Sequence, residues 1–166
     1  MALEKVLKIE NAMIAGFLYN KMLEAKKAGI EVSYKVELEH EYPVSEVWLA
    51  EVIGILFDHA TANLTGARLP EKKMYFKLRQ KEENITIKFA YISKILSLDE
   101  MIGMWGNKGN KTDLYRLRQL AEKNNGEILV KTKAVDDINY LCIKVKLPAK
   151  TQAGKHIFCI HKVDSL

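Results

Sequence analysis

EVIGILFDHATAN, residues 51–63, decides the fold. Val52, Ile53, Ile55, Leu56 and Phe57, with Val47, Trp48 and Leu49 just upstream, make a helix that is apolar nearly all round. A helix of that kind cannot lie on a surface; it must be central and pack on a sheet. Ser45 and Glu46 read as its cap and acidic first turn, after the break at Tyr42-Pro43. Its C-terminal end turns polar at Asp58, His59 and Asn63, and a charged residue beside an imidazole there needs a partner or a task.

Upstream, Ala12 to Ala28 places Ile14, Phe17, Leu18, Met22 and Ala25 at helical spacing, and Gly29 supplies the stop. Ile30, Val32, Tyr34, Val36 and Leu38 then alternate with polar residues, which predicts a half-buried strand. Downstream, Met74, Phe76 and Leu78 alternate, as do Ile85, Ile87, Phe89 and Tyr91, and Glu83-Asn84 is expected in the hairpin turn between them. Ser97 and Glu100 form a capping box for a short helix through Met104, where Met101, Met104 and Trp105 read as core. A Gly/Asn/Lys loop follows, then a helix from Asp113 to Lys123 with its stop at Asn125-Gly126. Ile128 and Val130, then Leu141, Ile143, Val145 and Leu147, mark two more strands, and HIFCIHKV (156–163) is a candidate for another. Asp136-Asp137 falls in a hairpin turn. The order predicts a two-layer α/β (α+β) sandwich, one mixed, mostly antiparallel sheet covered on one face by about three helices. The paired strands are too close for the crossovers of a parallel doubly wound sheet.

The 166 residues, 48% hydrophobic and 28% charged, fit one domain, expected over residues 1–148 with 149–166 as a C-terminal extension. MALEKVLKIE lacks the apolar region of a signal peptide, and no run is long enough to span a membrane. Two cysteines, Cys142 and Cys159, neither in a CxxC, suit a reduced, cytosolic setting with both thiols buried. The net charge of +5 is mostly lysine interleaved with glutamate, the pattern of a solvated face, so nucleic acid is not an expected partner. A basic binding domain would have to use Lys144, Lys146, Lys150, Lys155 and Lys162 near the C-terminus. No Gly-x-Ser-x-Gly, Walker A or metalloprotease His spacing occurs, and His156 and His161, five apart, fall on opposite faces of a strand.

Four stretches, AMIAGFLYNKMLEAKKAGIE (12–31), EVIGILFDHATAN (51–63), NKGNKTDLYRLRQLAEKNNGEI (107–128) and YLCIKVKLP (140–148), carry a resemblance. Their pattern and order look like the ATP-binding domain of sensor histidine kinases, the Bergerat-fold ATPases, and most resemble the quorum-sensing and citrate-sensor subgroup. The resemblance implies ATP and Mg²⁺ as ligands. The second helix would carry a box resembling L-D-N-A-x-E-A, whose Asn gives an oxygen to Mg²⁺. Asp58 and Ala60 match it, with His59 in place of the Asn and Ala62 in place of the Glu. Imidazole suits softer metals than Mg²⁺, so His59 is a poor metal ligand of that kind.

The family's adenine-reading carboxylate or carboxamide has no counterpart in FAYIS (89–93). Its Gly-rich turn, resembling K-G-x-x-R-G-x-G-L and acting as a lid over ATP, is matched at Lys108-Gly109 and at Leu114-Tyr115, with Lys111-Thr112-Asp113 where glycines would be. A carboxylate about 4 Å from a phosphate costs about 4 kcal/mol at an effective dielectric near 20. The nucleotide-binding candidates by resemblance are Asp58, His59, Asn63, Lys108, Gly109, Asn110 and Lys111, and no residue is assigned a catalytic role.

The function so implied is the ATP-binding domain of a two-component sensor histidine kinase. Such a domain passes phosphoryl groups from Mg-ATP to a His on separate helices, the chain's own or a partner's, and works with a response regulator. It would be cytoplasmic, tied to a membrane only through a preceding N-terminal part. The altered motifs raise the alternative of a non-catalytic, pseudokinase-like module of the same fold, used for protein–protein interaction.

Overall fold

The computed structural model describes residues 11–38 and 45–148, together with the backbone of His161–Ser165. Helix α1 (Ala12–Lys27) starts where the Asn11 side chain accepts the Ile14 N–H at 2.9 Å, and ends before Gly29, whose φ of +76° a side chain would resist. Strand β1 (Glu31–Glu37) leads to α2 (Glu46–Gly66), one turn longer than the periodicity predicts. Ser45 sits at the N-cap of α2 but makes no side-chain capping bond. Glu46 in the first turn instead accepts from Asn11 Nδ2 at 2.6 Å, which pins the start of α1 to the start of α2. The hairpin β2 (Lys73–Lys81) and β3 (Asn84–Ile92) follows, then α3 (Leu98–Trp105), α4 (Asp113–Lys123), β4 (Glu127–Val135), β5 (Ile138–Leu147) and β6 (His161–Ser165). The β2–β3 turn lies one residue earlier than expected, because Glu82 adopts φ +56° and Asn84 already pairs with Lys81. Asp136 and Asp137 both adopt positive φ, as a tight hairpin turn requires.

The expected sandwich forms. Six strands run in the order β1-β2-β3-β5-β4-β6, antiparallel in the middle and parallel at both edges, where β1 joins β2 and β6 joins β4. Inward residues of the strands and one side of the helices share a single core. Its centre is the meeting of α2 with the sheet, where the rings of Phe57, Phe76 and Phe89 lie 5.4–6.1 Å apart, tilted or edge to face. Met101 and Trp105 of α3 are buried in agreement with the sequence reading, and Met104 is half-buried. Cys142 is a free, half-buried thiol, while Cys159 and residues 156–160 of the last candidate strand lie outside the described residues. Among the described residues no helix is long and apolar enough to cross a membrane.

Candidate functional site

Asp58 and His59 are neighbours in sequence but turn about 100° apart on a helix of 3.6 residues per turn. Asp58 faces α1, exposed, with Lys21 Nζ 2.8 Å from its carboxylate. His59 faces the sheet, buried to 5% exposure, so the two do not serve each other. The partner of His59 is Tyr91 at the end of β3, with 2.8 Å between Nε2 and the hydroxyl and the two rings edge to face. Asn63, one turn on, donates through Nδ2 to the His59 carbonyl at 2.8 Å and lies 3.3 Å from Nδ1. Since Nδ2 is fixed by the carbonyl, its second N–H meets Nδ1 as an acceptor, and Nε2 must then carry the hydrogen and donate to Tyr91. Tyr91 is left with its own hydroxyl hydrogen to offer. Burial pushes the imidazole down to about 4, with the Asp113 carboxylate pulling weakly the other way, and burial pushes the Tyr91 hydroxyl up. The pair is therefore neutral at pH 7.

Tyr91 and Asn63 line a cleft of about 530 Å³ between the end of α2, the end of β3 and the start of the α3 segment. Arg68, Lys94, Leu96 and Met104 complete its polar and apolar walls. Lys94 is tied to Glu100 at 2.7 Å. Of the seven sequence candidates only Asn63 lines this cleft; His59 lies behind Tyr91, and Asp58, Lys108, Gly109, Asn110 and Lys111 do not line it either.

The loop between α3 and α4 is closed on itself. Asn107 and Asn110 bridge through their backbones, and Asn107 Oδ1 accepts the N–H groups of Gly109 and Asn110 at 2.8 and 2.9 Å. Thr112 donates to the Met104 carbonyl at 2.6 Å and caps α4 by accepting from the Tyr115 N–H. Gly106 has φ +67°, and a Cβ there would fall onto the Asn110 carbonyl oxygen and 2.7 Å from Thr112 Oγ1. The amides of Asn107, Gly109, Asn110 and Thr112 are thus spent on the loop itself and not free for a phosphate, and the Asp113 carboxylate stands in the first turn of α4.

No protein-family model matches the sequence, and no curated protein sequence does. Solved structures do. The catalytic domain of histidine kinase ThkA superposes with a TM-score of 0.60 at 10% identity, over 84% of this chain and 91% of that one. The mycobacterial sensor histidine kinase MprB gives 0.60 at 13% over 81% and 95%. The Acinetobacter baumannii histidine kinase AdeS gives 0.62 at 10% over 84% and 64%. The fold is that of the catalytic, ATP-binding domains of sensor histidine kinases.

Set against that fold, the resemblance places His59 at the magnesium ligand, and the donor set does not fit the ion. Mg²⁺ wants near-ideal octahedral oxygen, whereas both ring nitrogens of His59 are already engaged. Among the described residues no three His, Cys, Asp or Glu side chains group to hold a metal. Sequence reasoning missed Tyr91 as a site residue. Its signal was available: the alternation Ile85, Ile87, Phe89, Tyr91 puts a hydroxyl on the core face, where it must find a partner.

Proposed function

We propose that the chain is the ATP-binding-type domain of a two-component sensor histidine kinase that binds nucleotide without magnesium and does not transfer phosphoryl groups, a pseudokinase-like signalling module. The observation that carries this reading is His59, buried, neutral and bonded on both ring nitrogens where the resemblance calls for a metal-binding carboxamide. The cleft keeps space for a nucleotide, with Tyr91 offering its hydroxyl hydrogen and Arg68, which has no ion pair among the described residues, at the wall. A guanidinium takes over part of the charge neutralisation that a metal would supply. ThkA is known in complex with response regulator TrrA, and the partners proposed here are likewise a response regulator and the helices that carry a phosphoacceptor His. The domain would act in the cytoplasm through contacts with them.

Calorimetric titration with ATP, with and without Mg²⁺, tests the proposal. Binding of the same strength in both conditions is expected. Tightening of about tenfold or more on adding Mg²⁺ would restore the catalytic reading, and no heat up to millimolar nucleotide would remove nucleotide from the account.

A further inference from the structure

The helices cover one face of the sheet, and the other face carries an arrangement that stability alone does not explain. Lys35, Lys77, Lys88 and Lys144 stand in register on four adjacent strands, each directly opposite the next. Like charges placed opposite each other destabilise a sheet. Lys35 is relieved by Glu37 at 2.9 Å, but among the described residues Lys77, Lys88 and Lys144 have no ion pair. One register step on, Ser33, Tyr75, Ala90 and Cys142 form a second row across the same strands, ending beside Lys131 on β4. Apart from the Tyr75 ring and the lysine at the edge these are small, and they make the floor of a trench of about 590 Å³ whose first wall is the lysine row. The next row supplies Lys133, opposite Tyr140 on β5, on the far side of the trench.

We infer that this sheet face, which no described residue covers, docks an acidic, amphipathic helix of a partner protein, laid across the strands with its apolar stripe on the floor and its carboxylates toward the lysines on either side. The dimensions agree. From β1 to β4 is four strand spacings, about 19 Å, which about 13 helical residues cover at 1.5 Å each. The chemistry excludes the other occupants. A second copy would bring two cationic faces together. A single-stranded nucleic acid needs rings to stack on and favours arginine; the floor offers Ser33, Ala90 and Cys142, and its one ring, Tyr75, is engaged edge to face with Tyr140 at 5.9 Å. A bilayer surface is flat and would not reach the floor of a trench.

The test uses the full chain and a labelled peptide of about 14 residues, with leucines at helical spacing flanked by glutamates, followed by fluorescence anisotropy. Binding is expected, weakened at least about tenfold by the double variant Lys88→Glu/Lys144→Glu and unchanged by Lys26→Glu on the exposed side of α1. Circular dichroism melting confirms that each variant is folded. Equal binding of a peptide with serine for every leucine would reduce the surface to bare charge and overturn the inference. So would tighter binding of a single-stranded oligonucleotide of equal net charge, or full affinity in the double variant. Because the trench lies on the face opposite the helices, this outcome is independent of whether ATP binds in the cleft.

Discussion

With burial holding the His59 imidazole down to about 4, against an ordinary value near 6.5, the unfolded chain takes up a proton at a pH where the folded chain does not. The folded value lies below the unfolded one, so the stability from this group is complete above about pH 6.5 and is lost as pH falls toward 4, about 3 kcal/mol in all. His59→Gln keeps a neutral hydrogen-bonding group within reach of Tyr91 and removes the titration. Urea unfolding near pH 7 and near pH 4.5 should show the wild type losing about 2–3 kcal/mol more than the variant; equal losses would mean that the imidazole is not buried neutral. The same residues show what a sequence does and does not disclose. That residues 58 and 59 sit at the polar end of a buried helix was legible from the apolar run before them. That Asp58 answers to Lys21 and His59 to Tyr91, 37 and 32 residues away, was not, because adjacency in the chain says nothing about partners on different faces of a helix.

At the scale of elements, the strands and helices were the legible part, since alternation and 3.6-residue spacing are imposed by the one core that all of them share. The loop from Gly106 to Thr112 was not. Its composition matched a mobile glycine-rich turn, yet Asn107 and Thr112 spend their side chains on the loop's own backbone, a choice that depends on tertiary closeness to α3. The lysine row on the open face was equally hidden, because each lysine looks like an ordinary outward strand residue until the register is known. That register makes a quantitative prediction. Lys88→Glu places a carboxylate between Lys77 and Lys144 and replaces two repulsions by two attractions. Cross-strand pairs of this kind are worth roughly 0.2–1 kcal/mol each, so the variant should melt about 2–4 °C higher. A lower melting temperature would show that the lysines fan apart and do not feel one another. A gain in stability together with a loss of peptide binding would mark the row as kept for its partner.

For the whole molecule, the sequence order was enough to give the two-layer sandwich, but the pairing at its margins was beyond it, since parallel edge strands come from residues far apart in the chain. β1 closes one side against β2, and β6 closes the other against β4. Without β6, the backbone of Ile128, Leu129, Val130, Lys131 and Thr132 would lie along an open edge, with N–H and C=O groups unpaired and apolar side chains at alternate positions. An edge in that state is a template for another chain. Removing residues 149–166 should therefore leave a folded sandwich that associates edge to edge. Sedimentation velocity over a concentration series would show a dimer or larger species for the truncated chain, and a strictly monomeric truncation would mean that β4 protects its own edge. By covering that edge β6 would guard the molecule against aggregation, so changes to residues 161–165 should lower solubility before they alter the cleft.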